Sequence, residues 1–478
     1  MEKIIFQYTS EPAQYIPATS GADQGLDIPD RFLADQPAEL PAASELDVIR
    51  HFTNLSRLNY GVDAGFYPLG SCTMKYNPKI NESIADLPGL AGTHPYQDED
   101  HLQGALEIMY KLEEFLKTVS GFNAVTLQPA AGAHGEITGI LLIKACHRAQ
   151  KQDKQRRIIL IPDTAHGTNP ATAALAGYEV REVKSDSQGN IDLADLRAQL
   201  SPAVAGLMLT NPNTLGLFEK NILEVSRLVH EQGALLYGDG ANFNALLGLV
   251  KPADLGFDVM HFNLHKTFST PHGGGGPGAG AVGVTEKLAP FLPVPVVRRK
   301  DEKYYFDYRL RQSIGKVKSF YGNFLIVVRA YAYFLALGET GIKRIGREAI
   351  LNANYMQSKL QAAYELPYRR ACMHEFVITP RAEWHTSTLD IAKRIIDYGY
   401  HPPTIYFPLI VHEAMMIEPT ETETKDTLDG FIEAMLKIAQ EAQQHPELLQ
   451  AAPVNSPVGR LDEARAGRQL ILKYEKAR

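Results

Sequence analysis

The chain has 478 residues, 45% hydrophobic and 22% charged, which is enough for two or three domains and ordinary for a globular protein. A net charge of −7 gives no general reason to bind nucleic acid or an anionic membrane. The three cysteines, Cys72, Cys146 and Cys372, are scattered, with no C-x-x-C pair for a structural metal or redox switch, and read as reduced thiols of the cytosol.

In chain order, the segment Met1-Glu2-Lys3-Ile4-Ile5-Phe6-Gln7 has too short an apolar stretch for a signal peptide. Residues 1 to about 60, rich in Pro, Ala, Asp and Gln, predict an extended arm leading into a short helix over Leu46 to Leu58. Between about 90 and 325, short apolar runs alternate with helical segments. Strands are predicted at Ala124–Leu127, Ile158–Ile161, Tyr178–Val180, Val204–Leu209, Ala234–Gly238, Val259–Leu264 and Ala279–Val284. This alternation predicts an α/β domain with a mostly parallel sheet. The basic runs Arg156-Arg157 and Arg298-Arg299-Lys300 read as solvated surface turns. A helical pattern follows from Phe324 through Tyr364; its 14-residue apolar stretch to Leu337 contains Arg329 and reads as a buried helix, too short for a membrane span. Beyond it a strand is predicted at Glu375–Thr379 and helices at Asp390–Tyr398 and Asp426–Gln443. The expected division is an arm with short helices over 1–90, a large α/β domain over 91–325, and a linker helix with a smaller α+β domain over 326–478.

Chemistry-bearing residues gather just past the predicted strand ends, the edge where open α/β sheets bind ligands. Gln128-Pro129-Ala130-Ala131-Gly132-Ala133-His134-Gly135-Glu136 opens the helical run Ile137–Ala149, and its small residues would let backbone N–H groups and the helix dipole approach a phosphate. In Asp163-Thr164-Ala165-His166-Gly167-Thr168-Asn169-Pro170, Pro170 suits a first helical position, and His166 is placed to stack on a cofactor ring. Asp239 closes one strand, and Lys266 follows the end of the next, 27 residues on. A lysine to form a Schiff base and a carboxylate to keep a pyridinium nitrogen protonated are what pyridoxal 5′-phosphate chemistry needs. The glycine-rich His272-Gly273-Gly274-Gly275-Gly276-Pro277-Gly278 suits close approach of backbone to a cofactor, substrate or neighbouring subunit. Gly278-Ala279-Gly280-Ala281-Val282-Gly283 matches G-x-G-x-x-G, but a loop precedes it and a strand coincides with it, so dinucleotide binding is rejected. The histidines show no metal-ligand spacing, and no nucleophile elbow is present.

Taken together, these segments resemble the P-protein of the glycine cleavage system, the pyridoxal-phosphate-dependent glycine decarboxylase, and specifically its C-terminal half where that half is a separate subunit. The resemblance is carried by Tyr67-Pro68-Leu69-Gly70-Ser71-Cys72-Thr73-Met74-Lys75-Tyr76-Asn77, Ala165–Pro170, Asp239-Gly240-Ala241-Asn242, Asn263-Leu264-His265-Lys266-Thr267-Phe268, the glycine loop, Leu288–Pro293, Ile350–Met356 and Ile417-Glu418-Pro419-Thr420-Glu421. It implies the fold-type I architecture of pyridoxal-phosphate enzymes, with a seven-stranded sheet flanked by helices. By motif it implies that Lys266 is the Schiff-base lysine and Asp239 the pyridinium partner. Ala241 would pack below the ring and His166 above it, with Gly132, Ala133 and His134 at the phosphate and Thr214 and His265 near the ring's polar edge.

The implied reaction is decarboxylation of glycine with transfer of the aminomethyl group to the lipoyl group of a carrier protein, in the cytoplasm. The fused enzyme carries a second, related half on the N-terminal side. The implied partner is therefore a homologous N-terminal-half subunit, in an α2β2 heterotetramer. Two alternatives stand beside this: a stand-alone decarboxylase or lyase for another small amino acid, and a non-catalytic scaffold subunit.

Overall fold

The structure, a computed structural model, describes residues 3–8, 29–34, 41, 43–272 and 278–473, so Gly273 to Pro277 of the glycine loop lie outside the described residues. The chain forms two units, one of Met1–Gly65 with Asn455–Arg478 and one of Phe66–Val454. In the first, the expected short helix spans Glu45–Leu58. Its start is set by Ser44, whose hydroxyl accepts from the Asp47 N–H at 3.2 Å while the Asp47 carboxylate accepts from the Ser44 N–H at 3.1 Å, a reciprocal capping box.

The second unit is built on seven strands: β1 (Ala124–Thr126), β2 (Ile158–Pro162), β3 (Glu179–Val183), β4 (Val204–Thr210), β5 (Leu235–Gly240), β6 (Val259–Asn263) and β7 (Gly280–Val284). Their order is β1-β7-β6-β5-β4-β2-β3. β2 to β6 run parallel, and β7 lies antiparallel to both neighbours. The central strands β2, β4, β5, β6 and β7 are buried at every residue, which explains their continuous apolar runs. The sheet is thus the mostly parallel one of a fold-type I α/β enzyme. Because β1, β2, β4, β5 and β6 point the same way, the segments that follow them meet at one edge.

Several local expectations change. The helix after β1 begins at Gly132, five residues before the apolar periodicity, because its first turn is the small-residue segment itself. Pro170 is the third residue of the helix Thr168–Leu175, where its missing N–H still deprives the helix of nothing. Arg156 is buried: its guanidinium donates to Gln152 Oε1 at 2.7 Å, to Val204 O at 2.6 Å and to Gln232 O at 2.9 Å, tying the turn before β2 to the start of β4 and the turn before β5. Arg298-Arg299-Lys300 is not a turn but the exposed end of strand β8 (Val296–Lys300), paired with β9 (Lys303–Asp307) across a tight connection. The helix Phe324–Leu360 is interrupted at Gly338, at φ 58° and ψ −173°. Ile326, Val327, Ala330, Tyr333 and Phe334 bury its first half in the main core.

Towards the C-terminus, β10 (Phe376–Ile378), β11 (Thr404–Ile405) and β12 (Met415–Ile417) form a small antiparallel sheet with β12 central. The helices Thr388–Asp397 and Lys425–Gln444 accompany it. Lys75 ties this region to the main sheet: its fully buried ammonium donates to Glu421 Oε1 at 2.6 Å, to Asn244 Oδ1 at 2.9 Å and to Thr267 O at 2.8 Å. Burial works against that charge, and Glu421 and Tyr333 together more than offset it, so the pKa is raised. Lys75→Met should therefore lower stability by about 3–5 kcal/mol, the usual cost of stranding one member of a buried ion pair. A fall in the urea midpoint measures it, and an unchanged midpoint would show that the pair contributes little.

Candidate active site

The site begins with Asp239, the fifth residue of β5 and 2% exposed. Oδ1 accepts from the Ala241 N–H at 2.9 Å and Oδ2 from Asn169 Nδ2 at 2.9 Å, while His261 Nε2 stands 3.5 Å from Oδ1. Burial pushes the Asp239 pKa up, but His261, Asn169, the Ala241 N–H and Lys266 together outweigh it, so the net shift is downward and the carboxylate stays ionised. His261 is held from behind by Tyr237, whose hydroxyl lies 2.7 Å from His261 Nδ1. Burial raises the phenol far above its ordinary pKa. The contact fixes the ring so that Nε2 faces Asp239. Asn169 also donates to Glu136 Oε2 at 3.0 Å, joining the helix after β1 to the end of β5.

Lys266 follows β6 by three residues, and its Nζ donates to the backbone carbonyl of Ser71 at 2.6 Å. The neighbouring His265 has a pKa lowered to about 3, by burial first and then by His272 and Lys266, and its Nδ1 has no partner among the described residues. Gly278 presses on that ring, since a Cβ there would lie 2.0 Å from His265 Nδ1. His272 Nε2 lies 2.9 Å from Cys72 O.

At the start of the helix Gly132–Ala149, no side chain caps the first turn and no acidic residue occupies it, so its N–H groups remain available to an anion. A Cβ at Gly132 would lie 2.4 Å from Asn263 Oδ1, a buried atom with no partner among the described residues, so only glycine fits between the helix start and the end of β6. Ala133 is exposed in the first turn. His134 turns its Nδ1 back to accept the Ala130 N–H at 3.0 Å, and burial lowers its pKa. Asn323 donates to both Ala130 O, at 3.0 Å, and Gly278 O, at 2.5 Å, tying this cradle to the segment beside His265. His166 is exposed, with Nδ1 3.0 Å from Thr168 Oγ1 and its ring edge-on to Phe407 at 5.5 Å. Thr214 is buried, and its hydroxyl is committed to Thr164 O at 2.5 Å, which places it beside the His166 loop.

These residues form one constellation at the sheet edge, linked by Asn169 between the His166 loop and Asp239, and by Asn323 between the cradle and Gly278. They fit pyridoxal 5′-phosphate on three counts: uncapped N–H groups for a phosphate, an ionised buried carboxylate for a ring nitrogen, and orphaned Asn263 Oδ1 and His265 Nδ1 nearby. Sequence reasoning missed Asn169, His261 and Tyr237, which settle the charge of Asp239. It gave no functional role to Ser71, Cys72, Glu375 and Glu418, and His374 passed unnoticed. A histidine inside an apolar strand, at position 261, was the one available signal.

Comparison with known proteins bears on the family and the fold. Residues 135–294 match the class-V aminotransferase family model, and residues 345–456 match the model described as glycine dehydrogenase, C-terminal domain. A probable glycine dehydrogenase (decarboxylating) subunit 2 of Caldanaerobacter subterraneus subsp. tengcongensis is 57% identical over 479 residues, covering 99% of each chain. One of the same description from Listeria monocytogenes is 56% identical over 469 residues, covering 98% of this chain and 95% of the relative. Among solved structures, an inhibitor-bound glycine decarboxylase (P-protein) of the glycine cleavage system superposes with a TM-score of 0.72 at 17% identity, covering 86% of this chain and 93% of that one. The glutamate decarboxylase of Lactobacillus brevis gives a TM-score of 0.65 at 12% identity, with 87% and 97% covered. At such identities the two structures speak for the fold.

Proposed function

The chain belongs to the family of glycine dehydrogenase (decarboxylating) subunit 2 proteins, and from that premise we propose that it is the cofactor-bearing half of a two-subunit glycine decarboxylase. The observation that carries the reading is the buried, ionised Asp239 at the end of β5 with Lys266 past the end of β6. When bound, pyridoxal 5′-phosphate supplies an electron sink for the bond between the glycine α-carbon and its carboxylate.

The chain's own residues prepare that chemistry. Lys266 would hold the cofactor through its side-chain amine and give up that place to the amino group of glycine. Asp239 keeps the ring nitrogen protonated, and the Tyr237–His261 pair behind it keeps Asp239 charged. Gly132, Ala133 and His134 would meet the phosphate, His166 would cover one ring face and Ala241 the other, and Thr214 and His265 would attend the polar edge. The carboxylate leaves as carbon dioxide. The electron pair it leaves behind forms a bond from the aminomethyl carbon to one sulfur of the carrier's lipoyl disulfide; the S–S bond breaks, and the second sulfur takes up a proton as a thiol.

The partners in this reading are glycine, a lipoylated carrier protein and a homologous N-terminal-half subunit in an α2β2 assembly in the cytoplasm. Exchange of labelled bicarbonate into the glycine carboxyl group tests it. Exchange is expected when this chain, the N-terminal-half subunit and lipoylated carrier are all present, and to vanish when the carrier is withheld. A yellow, folded protein that shows no exchange with every component present would favour a decarboxylase for another small amino acid.

A further inference from the structure

The turn Ser71–Thr73 lies against Lys266 and is held in an unusual way. Ser71 and Thr73 both occupy the left-handed region, at φ 62° and φ 50°. Side chains are strained there, β-branched threonine most of all. Each of the two is gripped twice by one buried glutamate. The Ser71 N–H donates to Glu375 Oε2 at 2.6 Å and its hydroxyl to Oε1 at 3.4 Å. The Thr73 N–H donates to Glu418 Oε2 at 2.8 Å and its hydroxyl to Oε1 at 2.6 Å. Both glutamates are 0% exposed.

Other groups complete the cluster. Asn242 Nδ2 donates to Glu375 Oε1 at 3.3 Å, and His374 Nε2 stands 3.8 Å from Glu375 and 3.9 Å from Glu418. Burial raises both carboxyls, Glu418 to about 7, and lowers His374 to about 3, so the pair retains a proton near neutrality and the imidazole is neutral. The carbonyls of the same turn receive side chains from the segment after β6: Ser71 O takes Lys266 Nζ, and Cys72 O faces His272.

We infer that Glu375 and Glu418 are positioning residues for Lys266: by gripping Ser71 and Thr73 in the left-handed region, they fix the Ser71 carbonyl as the resting place of the lysine amine. A lysine chain left loose samples many rotamers. An amine displaced in each turnover needs one place to wait and from which to return. The catalytic meaning of this rest depends on the reading of Lys266 given above, whereas the rest itself belongs to the protein without cofactor.

The test is the acetylation rate of Lys266 in the cofactor-free full chain, mapped by mass spectrometry beside exposed lysines as internal standards. In Glu375→Ala the Lys266 rate should rise roughly tenfold, the weight of one hydrogen bond to a charged donor. Adding Ser71→Gly to that variant should bring the rate back most of the way, because glycine adopts the left-handed region unaided. Glu375→Asp, which keeps a carboxyl but withdraws it by one methylene, should move in the same direction as Glu375→Ala and carries the test if the alanine variant does not fold. An unchanged Lys266 rate in a folded variant, or a rise that Ser71→Gly leaves in place, overturns the inference. Borohydride reduction of the cofactor-loaded chain is a separate measurement: a tag on another lysine would discard the role given to Lys266 and leave the acetylation result standing.

Discussion

Lys266→Ala is expected to lose the visible absorbance that survives washing of the cofactor-loaded protein and to lower turnover by about a thousandfold or more, roughly 4 kcal/mol of barrier. The geometry allows no substitute. Among the described residues beside the site, His265 and His272 carry no primary amine to form an imine, and Lys75 is committed to three partners. The substitution also removes the donor to Ser71 O, so a modest loss of stability should accompany the loss of activity. Absorbance after dialysis, bicarbonate exchange and a borohydride-reducible tag measure the three consequences. A variant that keeps a reducible tag and near-normal exchange would remove Lys266 from the chemistry.

Asp239→Asn should leave the cofactor bound yet slow decarboxylation by about 10²–10³, the scale seen when one preorganised electrostatic contact is removed. The amide can still accept the Ala241 N–H, so the turn after β5 survives, but the negative charge is gone. In the wild type the folded pKa lies below the ordinary value of about 3.9, because His261, Asn169, the Ala241 N–H and Lys266 outweigh burial. The carboxylate therefore contributes stability that is present above its unfolded pKa and lost as the pH falls through the folded one. The asparagine variant should forfeit that contribution at neutral pH, and its stability should depend less on pH at the acid end. Single-turnover decarboxylation rates and acid-denaturation midpoints are the measurements. Wild-type rates would refute the electron-sink role of Asp239.

The central sheet was legible because its inner strands are buried on both faces and so read as unbroken apolar runs, and because the segments at their C-terminal ends carry glycine, proline and asparagine. The β8–β9 hairpin was not, since Arg298, Arg299 and Lys300 face solvent and look like any charged turn. Arg156 misled for the opposite reason: Gln152, Val204 at the start of β4 and Gln232 satisfy a guanidinium that in sequence looks like surface. Within the site, Lys266 and Asp239 stood out by their place after strands. The residues that tune them did not, because His261 and Tyr237 sit inside apolar strands, and Glu375 and Glu418 act on a turn about 300 residues away in sequence or more. No local pattern encodes such a partnership.

That separation has a consequence for the life of the chain on the ribosome. Chains emerge N-terminus first, and long-range contacts form last. Once residue 284 has emerged, the seven strands, Asp239 and Lys266 are all available to fold. Yet the turn that receives the Lys266 amine has nothing to grip it until Glu375 and then Glu418 are translated. Completion of the lysine's surroundings is thus deferred until translation has passed Glu418, and a nascent or truncated chain would display the sheet edge before it can hold its lysine in place.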